Sequence, residues 1–253
     1  MRWASCQKRR EKPGLQLICF PYAGAGASAY RQWADEFPEQ IEVWVVHLPG
    51  RDQRISETPI RSLSCMVEAT AAGLAPLLNA PFAFFGHSMG ALLAFEIARL
   101  RRRAGLSLPA ALAVSGHRAP HLPDPGPVIH DLPRQSFVAE LIRLNGVSEG
   151  VDNQPELLEV LLPMLRADFA ACENYRFVSE APLPCPILAF GGAHDSEASV
   201  EQIAAWRKHT VGAFWLRIFP GNHFFLHTAR RELLDYIAEH LGLAVAGSAM
   251  TLA

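Results

Sequence analysis

Cysteine is scarce in this 253-residue chain: five residues, with no CxxC pair and no Cys/His spacing that suits zinc. The odd, dispersed set (Cys6, Cys19, Cys65, Cys172, Cys185) argues against a disulfide framework and for reduced thiols, as in a cytoplasm. Neither sign of charge prevails. Lys and Arg number 23 against 25 Asp and Glu, a formal net charge of −2, so no basic field points to nucleic acid or an anionic membrane. No apolar run approaches the ~20 residues of a membrane helix, and the basic opening MRWASCQKRREKPG lacks the apolar stretch of a signal peptide. Internal repeats are lacking too, as is the GK[ST] of a phosphate-binding loop.

What is present is alternation. Six runs read as strands: LQLICFP (15–21), IEVWVVHLP (41–49), PFAFFG (81–86), ALAVSG (111–116), CPILAFGG (185–192) and FWLRIFPG (214–221). They are apolar on both faces, as strands of a parallel sheet covered on both sides are. Helical stretches near 28–37, 62–78, 89–104, 198–209 and 228–241 separate them, which predicts an α/β fold with a mostly parallel central sheet flanked by helices. The core domain is expected over 14–243, between flexible ends at 1–13 and 244–253.

One segment breaks the rhythm. Between Ala119 and Ala181 no strand is evident, which suggests a helical lid insertion over about 120–181. RQSFVAELIRLNG reads as a helix closed by Gly146. NQPELLEVLLPMLRADFAACENY opens a second with Pro155 in its first turn and should kink at Pro163. Its leucines leave almost no polar face, so it should be buried or line something apolar.

FFGHSMGA (84–91) carries the chemistry. A G-x-S-x-G pentapeptide alone arises easily by chance, but here a buried-strand run precedes it and a strong helix, ALLAFEIARL, follows. Strand, sharp turn and helix form an elbow that lifts Ser88 toward a helix N-terminus, with Gly86 and Gly90 where a Cβ would crowd the turn. Such an elbow predicts an acid and then a histidine after later strands. Asp195 follows CPILAFGGAH and His223 follows FWLRIFPGN. Each has a blander reading, Asp195 as a helix cap and His223 as a loop histidine; their order and placement favour a Ser88–His223–Asp195 triad. The loop FPYAGAGASAY after the first strand offers backbone N–H groups, and Met89 and Ala23 are the expected oxyanion donors, with Gly24 a less favoured choice. Tyr22, Gly24 and Phe224 beside the nucleophile, and Leu161 and Leu165 on the apolar helix, are the candidate acyl-binding residues.

These residues carry a resemblance. ICFPYAGAGASAYRQW, VHLPGRDQR, FFGHSMGALLAFEIA, SGHRAP, FGGAHD and FPGNHFFL are similar to the signature blocks of the type II (editing) thioesterases of non-ribosomal peptide and polyketide synthesis, in the same order, over residues 18 to about 240. The resemblance implies an α/β-hydrolase fold with a helical lid. It also implies hydrolysis of stalled or misprimed acyl groups from the phosphopantetheine arm of acyl or peptidyl carrier proteins, in antibiotic or siderophore pathways. It requires no metal and no organic cofactor, and a monomer is the default. Two departures stand out: Tyr22 where the family usually has His, and Ser196 where a proline commonly follows the acid. Arg51 of HLPGR could serve carrier docking or a structural salt bridge, and RLRRR (99–103) reads as the cationic end of the helix after Ser88. The chain starts near the first strand and ends soon after the last helix, which suits an enzyme acting in trans. Two other readings stay open: an esterase or acyltransferase acting on small acyl esters, and a non-catalytic module that docks on a synthetase.

Overall fold

A computed structural model describes residues 2–144 and 155–251. All six expected strands form: β2 (Leu15–Phe20), β3 (Ile41–Val46), β4 (Phe82–His87), β5 (Leu112–Ser115), β6 (Ile187–Gly192) and β7 (Phe214–Phe219). A seventh, β1 (Ala4–Cys6), joins them, and the sheet runs β1-β3-β2-β4-β5-β6-β7, parallel throughout except for antiparallel β1 against β3. Side chains of each strand divide by parity between two cores. Ile18, Phe20 and Phe84 face α2 (Leu63–Leu74), α3 (Met89–Arg103) and α6 (Val200–Ala204). Leu17, Cys19 and Phe85 face α1 (Trp33–Glu36), α7 (Phe225–Thr228) and α8 (Arg230–Thr251). Strands β2 to β6 are buried almost throughout, as their unbroken apolar runs require. Strand β7 differs: it is the sheet edge, and Leu216 and Arg217 are exposed.

Both ends depart from expectation. In place of the flexible arm expected over 1–13, Ala4–Cys6 pairs with Val46–Trp44, and the His47 N–H donates to the Trp3 carbonyl at 2.9 Å. The Trp3 ring lies under the Arg54 guanidinium at 3.9 Å, and buried Arg10 donates to the Ala34 and Phe37 carbonyls. A three-residue strand is too short for periodicity to reveal, and its anchors are distant in sequence. At the other end α8 runs on to Thr251, through the stretch read as a tail; its alanine-rich composition favours continued helix.

The segment between β5 and β6 holds α4 (Arg134–Arg143) and α5 (Pro155–Glu173), the expected pair; Gly146 lies outside the described residues. Helix α5 continues through Pro163. Its apolar face is narrower in use than in composition. Leu158, Leu162, Met164 and Leu165 bury against Ile129, Phe137 and Leu141 in a core of the lid's own, whereas Leu157 and Val160 face solvent.

The parallel register does the positioning. Phe20 pairs with Gly86, His87 with Ser115, Ser115 with Phe190 and Gly192 with Phe219, so five strands end together. The loops after them meet at one edge of the sheet, under the lid, as open α/β sheets arrange their sites. Removing the Trp3 ring should lower stability without touching that edge. Trp3→Ala is expected to reduce the unfolding free energy by about 2 kcal/mol in a urea titration, less than for a fully buried Trp because Trp3 is only half-buried.

Candidate active site

Ser88 stands between β4 and α3 at φ 50°, ψ −122°, a backbone conformation that side chains other than glycine rarely adopt. Holding it costs on the order of 1–3 kcal/mol, and the surroundings leave no alternative. The Ser88 N–H donates to the Ser115 carbonyl at 2.8 Å and its own carbonyl accepts from Ala91 N–H at 2.9 Å. A Cβ on Gly86 would lie 2.1 Å from the Gly90 carbonyl oxygen, and one on Gly90 would lie 2.2 Å from that of Phe20. Because those obstacles are backbone, neither glycine is replaceable without moving a strand.

The loops after β6 and β7 bring the other two groups. His223 Nδ1–H donates to the Asp195 carboxylate at 3.0 and 3.1 Å, and the Asp195 side chain is fully buried. Since an ionised carboxylate only accepts, this bond fixes the tautomer and leaves Nε2 to take a proton. Asp195 Oδ1 also accepts from the Glu197 and Ala198 N–H groups at 2.8 and 3.2 Å, so it shapes the local turn as well; the cap of α6 itself is Ser199. Ser196 in place of a proline leaves this arrangement intact, its hydroxyl donating to Glu197. Ser88 and His223 line one cleft of about 400 Å³, with no direct hydrogen bond between them among the described residues. Such bonds commonly tighten only on substrate binding.

The cleft wall is partly as expected. Met89 and Ala23 line it, and among the described residues neither N–H has a protein acceptor. Gly24 does not qualify as a donor, because its N–H is already given to Asp168 Oδ2 at 2.9 Å. Tyr22 and Phe224 line the cleft; Tyr22 packs edge-on against His87 and Phe224, and its hydroxyl shares a hydrogen bond with His227 Nε2 at 3.1 Å. Leu161 and Leu165 do not line it. They pack in the lid's own core, and α5 presents Phe169 and Cys172 to the cleft instead, about two turns further on. His117, Arg118, Asp124 and Ile129 complete the far wall, with Arg118 Nη2 and Asp124 paired at 2.7 Å. Sequence signals for these were faint, since SGHRAP and the Pro-rich stretch after it have no periodicity. A larger cleft of about 630 Å³ lies elsewhere, between α2, α3 and residues 174–180. Its Arg99 and Arg103 are spent on Glu96 and Glu180, so RLRRR ties down the chain leading to β6 in addition to ending α3.

The chain matches the Thioesterase domain family over residues 15–242. It belongs to the thioesterase family. The gramicidin S biosynthesis protein GrsT of Aneurinibacillus migulanus is 44% identical over 232 residues, covering 92% of this chain and 91% of GrsT. Among solved structures, the type II thioesterase BorB from the borrelidin cluster superposes with a TM-score of 0.87 at 38% identity, covering 95% and 98% of the two chains. The type II thioesterase YbtT of the yersiniabactin pathway gives 0.86 at 34%, covering 96% and 99%. The fold is therefore the α/β-hydrolase fold of type II thioesterases from non-ribosomal peptide and polyketide pathways, and the enzyme is a thioester hydrolase.

Two histidines at the Ser88 cleft, buried His87 and half-buried His117, make folding stability depend on acid pH. Burial, and then the neighbouring His223, His227 and His117, hold His87 well below the usual imidazole range; His87 Nδ1 shares a hydrogen bond with Ser115 Oγ at 3.0 Å. Burial, and then Arg118, push His117 down to about 4 from its ordinary 6.5. Both are neutral when folded and gain protons on unfolding, so their stabilising contribution is complete above pH 6.5 and is lost as the pH falls toward 4. Urea titrations should show the unfolding free energy declining over that interval, more steeply in the wild type than in His117→Gln; equal slopes would assign the decline to other groups.

Proposed function

We propose that this thioesterase removes stalled or misprimed acyl groups from the phosphopantetheine arm of carrier proteins in a non-ribosomal peptide or polyketide pathway. One observation carries the mechanism: a buried carboxylate holds His223 in one tautomer at 3.0 Å, in the same cleft as a serine on a strained elbow. Ser88 Oγ attacks the thioester carbonyl while His223 Nε2 takes its proton, and Asp195 stabilises the resulting imidazolium. The Met89 and Ala23 N–H groups hold the oxyanion. Collapse expels the pantetheine thiolate, which leaves with the proton from His223. Water, deprotonated by the same imidazole, then attacks the acyl-serine; the second intermediate releases the carboxylic acid and restores Ser88. Every step draws on side chains and backbone alone, with no cofactor of the enzyme's own.

Kinship supports the carrier-bound substrate, since GrsT, BorB and YbtT are named for such biosynthetic pathways. The place of action we propose is the cytoplasm, as a monomer. In support, all five cysteines are free thiols and no described helix is long and apolar enough to cross a membrane.

The test compares release of one acyl group from a phosphopantetheinylated carrier protein with release from a small free thiol, in wild type and Ser88→Ala. Faster release from the carrier, with a loss of about 10⁴- to 10⁶-fold in the variant, is expected. Equal rates on both thioesters would point to a general esterase. Activity that survives Ser88→Ala would sink the mechanism.

A further inference from the structure

The loop after β2 is gripped at three of four successive residues by charged groups from two distant segments. The Gly24 N–H donates to Asp168 Oδ2 at 2.9 Å. The Ala25 carbonyl accepts from Arg51 Nη1 at 3.0 Å, and the Ala27 N–H donates to Asp52 Oδ2 at 2.7 Å. Gly26 admits this grip, since a Cβ there would lie 2.4 Å from the Asp52 carboxylate. Asp52 itself stands at φ 48°, one of two described non-glycine residues in the left-handed region, the other being Ser88. Arg51 Nη2 and Asp168 Oδ1 join at 2.6 Å, with side-chain exposures of 4% and 1%.

A buried pair of this kind is a poor stabiliser, because desolvating two charges offsets most of their attraction. Here the imbalance is plain: Arg51 Nε has no partner among the described residues. What the pair does is mechanical. Asp168 lies on α5, one residue before Phe169 and four before Cys172, both of which line the cleft. The helix that walls the acyl pocket therefore also holds the loop carrying Ala23. With Gly24, Ala25 and Ala27 tethered, the adjoining Ala23 N–H keeps one direction without having an acceptor of its own.

We infer that Asp168 and Arg51 are positioning residues, through which the seating of lid helix α5 sets the Ala23 oxyanion donor. Transition-state stabilisation then depends on the lid being in place, and the Arg51-Asp52 dipeptide serves the loop and not a carrier protein. This rests on the reading of Ser88 and Ala23 given under Proposed function.

Asp168→Asn keeps the shape of the side chain and removes its charge; Arg51→Lys keeps charge and removes the fork. Each should lower kcat by about 10- to 100-fold on an acyl thioester of a small thiol, with KM changed less than about threefold. A trifluoromethyl ketone analogue, whose hemiketal oxygen takes the oxyanion's place, should lose affinity in step with kcat/KM. Because a lone buried charge can unfold a protein, the double variant Arg51→Met/Asp168→Leu is measured too. It is expected to regain a wild-type unfolding temperature but not wild-type kcat. Recovery of kcat along with stability, or unchanged affinity for the ketone in Asp168→Asn, would overturn the inference. A Ser88→Ala enzyme run in parallel separates the failures: if it still turns over, the underlying mechanism falls, whatever Asp168 does.

Discussion

Backbone packs directly on backbone where β2, β4 and α3 meet, and the site follows from that contact. Gly86, Gly90 and the Phe20 carbonyl approach so closely that no side chain fits between β2, β4 and the first turn of α3. That contact forces Ser88 into its left-handed conformation and aims it off the sheet edge. It also brings the loop after β2, with Ala23, beside the N-terminus of α3, with Met89. The proposed nucleophile and both proposed oxyanion donors thus share a single steric cause. The cost of the strain is met by a buried parallel sheet that has no other way to end its central strand.

Around this point the polar groups are arranged to serve two purposes at once. Asp195 orients His223 and also closes the turn that leads into α6. Asp168 neutralises Arg51 and holds Gly24. Such sharing follows from burial, since each buried carboxylate must have its oxygens satisfied. It also means that a substitution at either acid disturbs more than one element, which is why isosteric variants are the informative ones.

Reading from sequence succeeded where one element contains its own signal. The strands β2 to β6 are continuous apolar runs, α5 begins at Pro155, and GHSMG sits between a strand and a helix. It failed where partners lie far apart. Strand β1 depends on Trp3 meeting Arg54, and the edge exposure of β7 depends on its being last in the sheet. Helix α5 illustrates both. Its burial and place in the lid were legible, but which leucines face the cleft was not, and Leu161 and Leu165 turn inward to Phe137 and Leu141 while Phe169 and Cys172 reach the pocket. Asp168 left a faint mark, a lone acid in LLPMLRADFAAC, with nothing nearby to say that Arg51 answers it.

The sequence by itself determined the α/β alternation, the order Ser88, Asp195, His223 and the family, because hydrophobic period, glycine placement and motif order are local and cumulative. Only the tertiary structure decided which N–H groups beside Ser88 are left without a protein acceptor, which residues wall the cleft, and which groups Arg51 holds. Those answers depend on contacts across 117 residues of chain in the case of Arg51 and Asp168. Side-chain direction and hydrogen-bond occupancy at such separations follow from how layers pack, and packing has no period that a linear reading can detect.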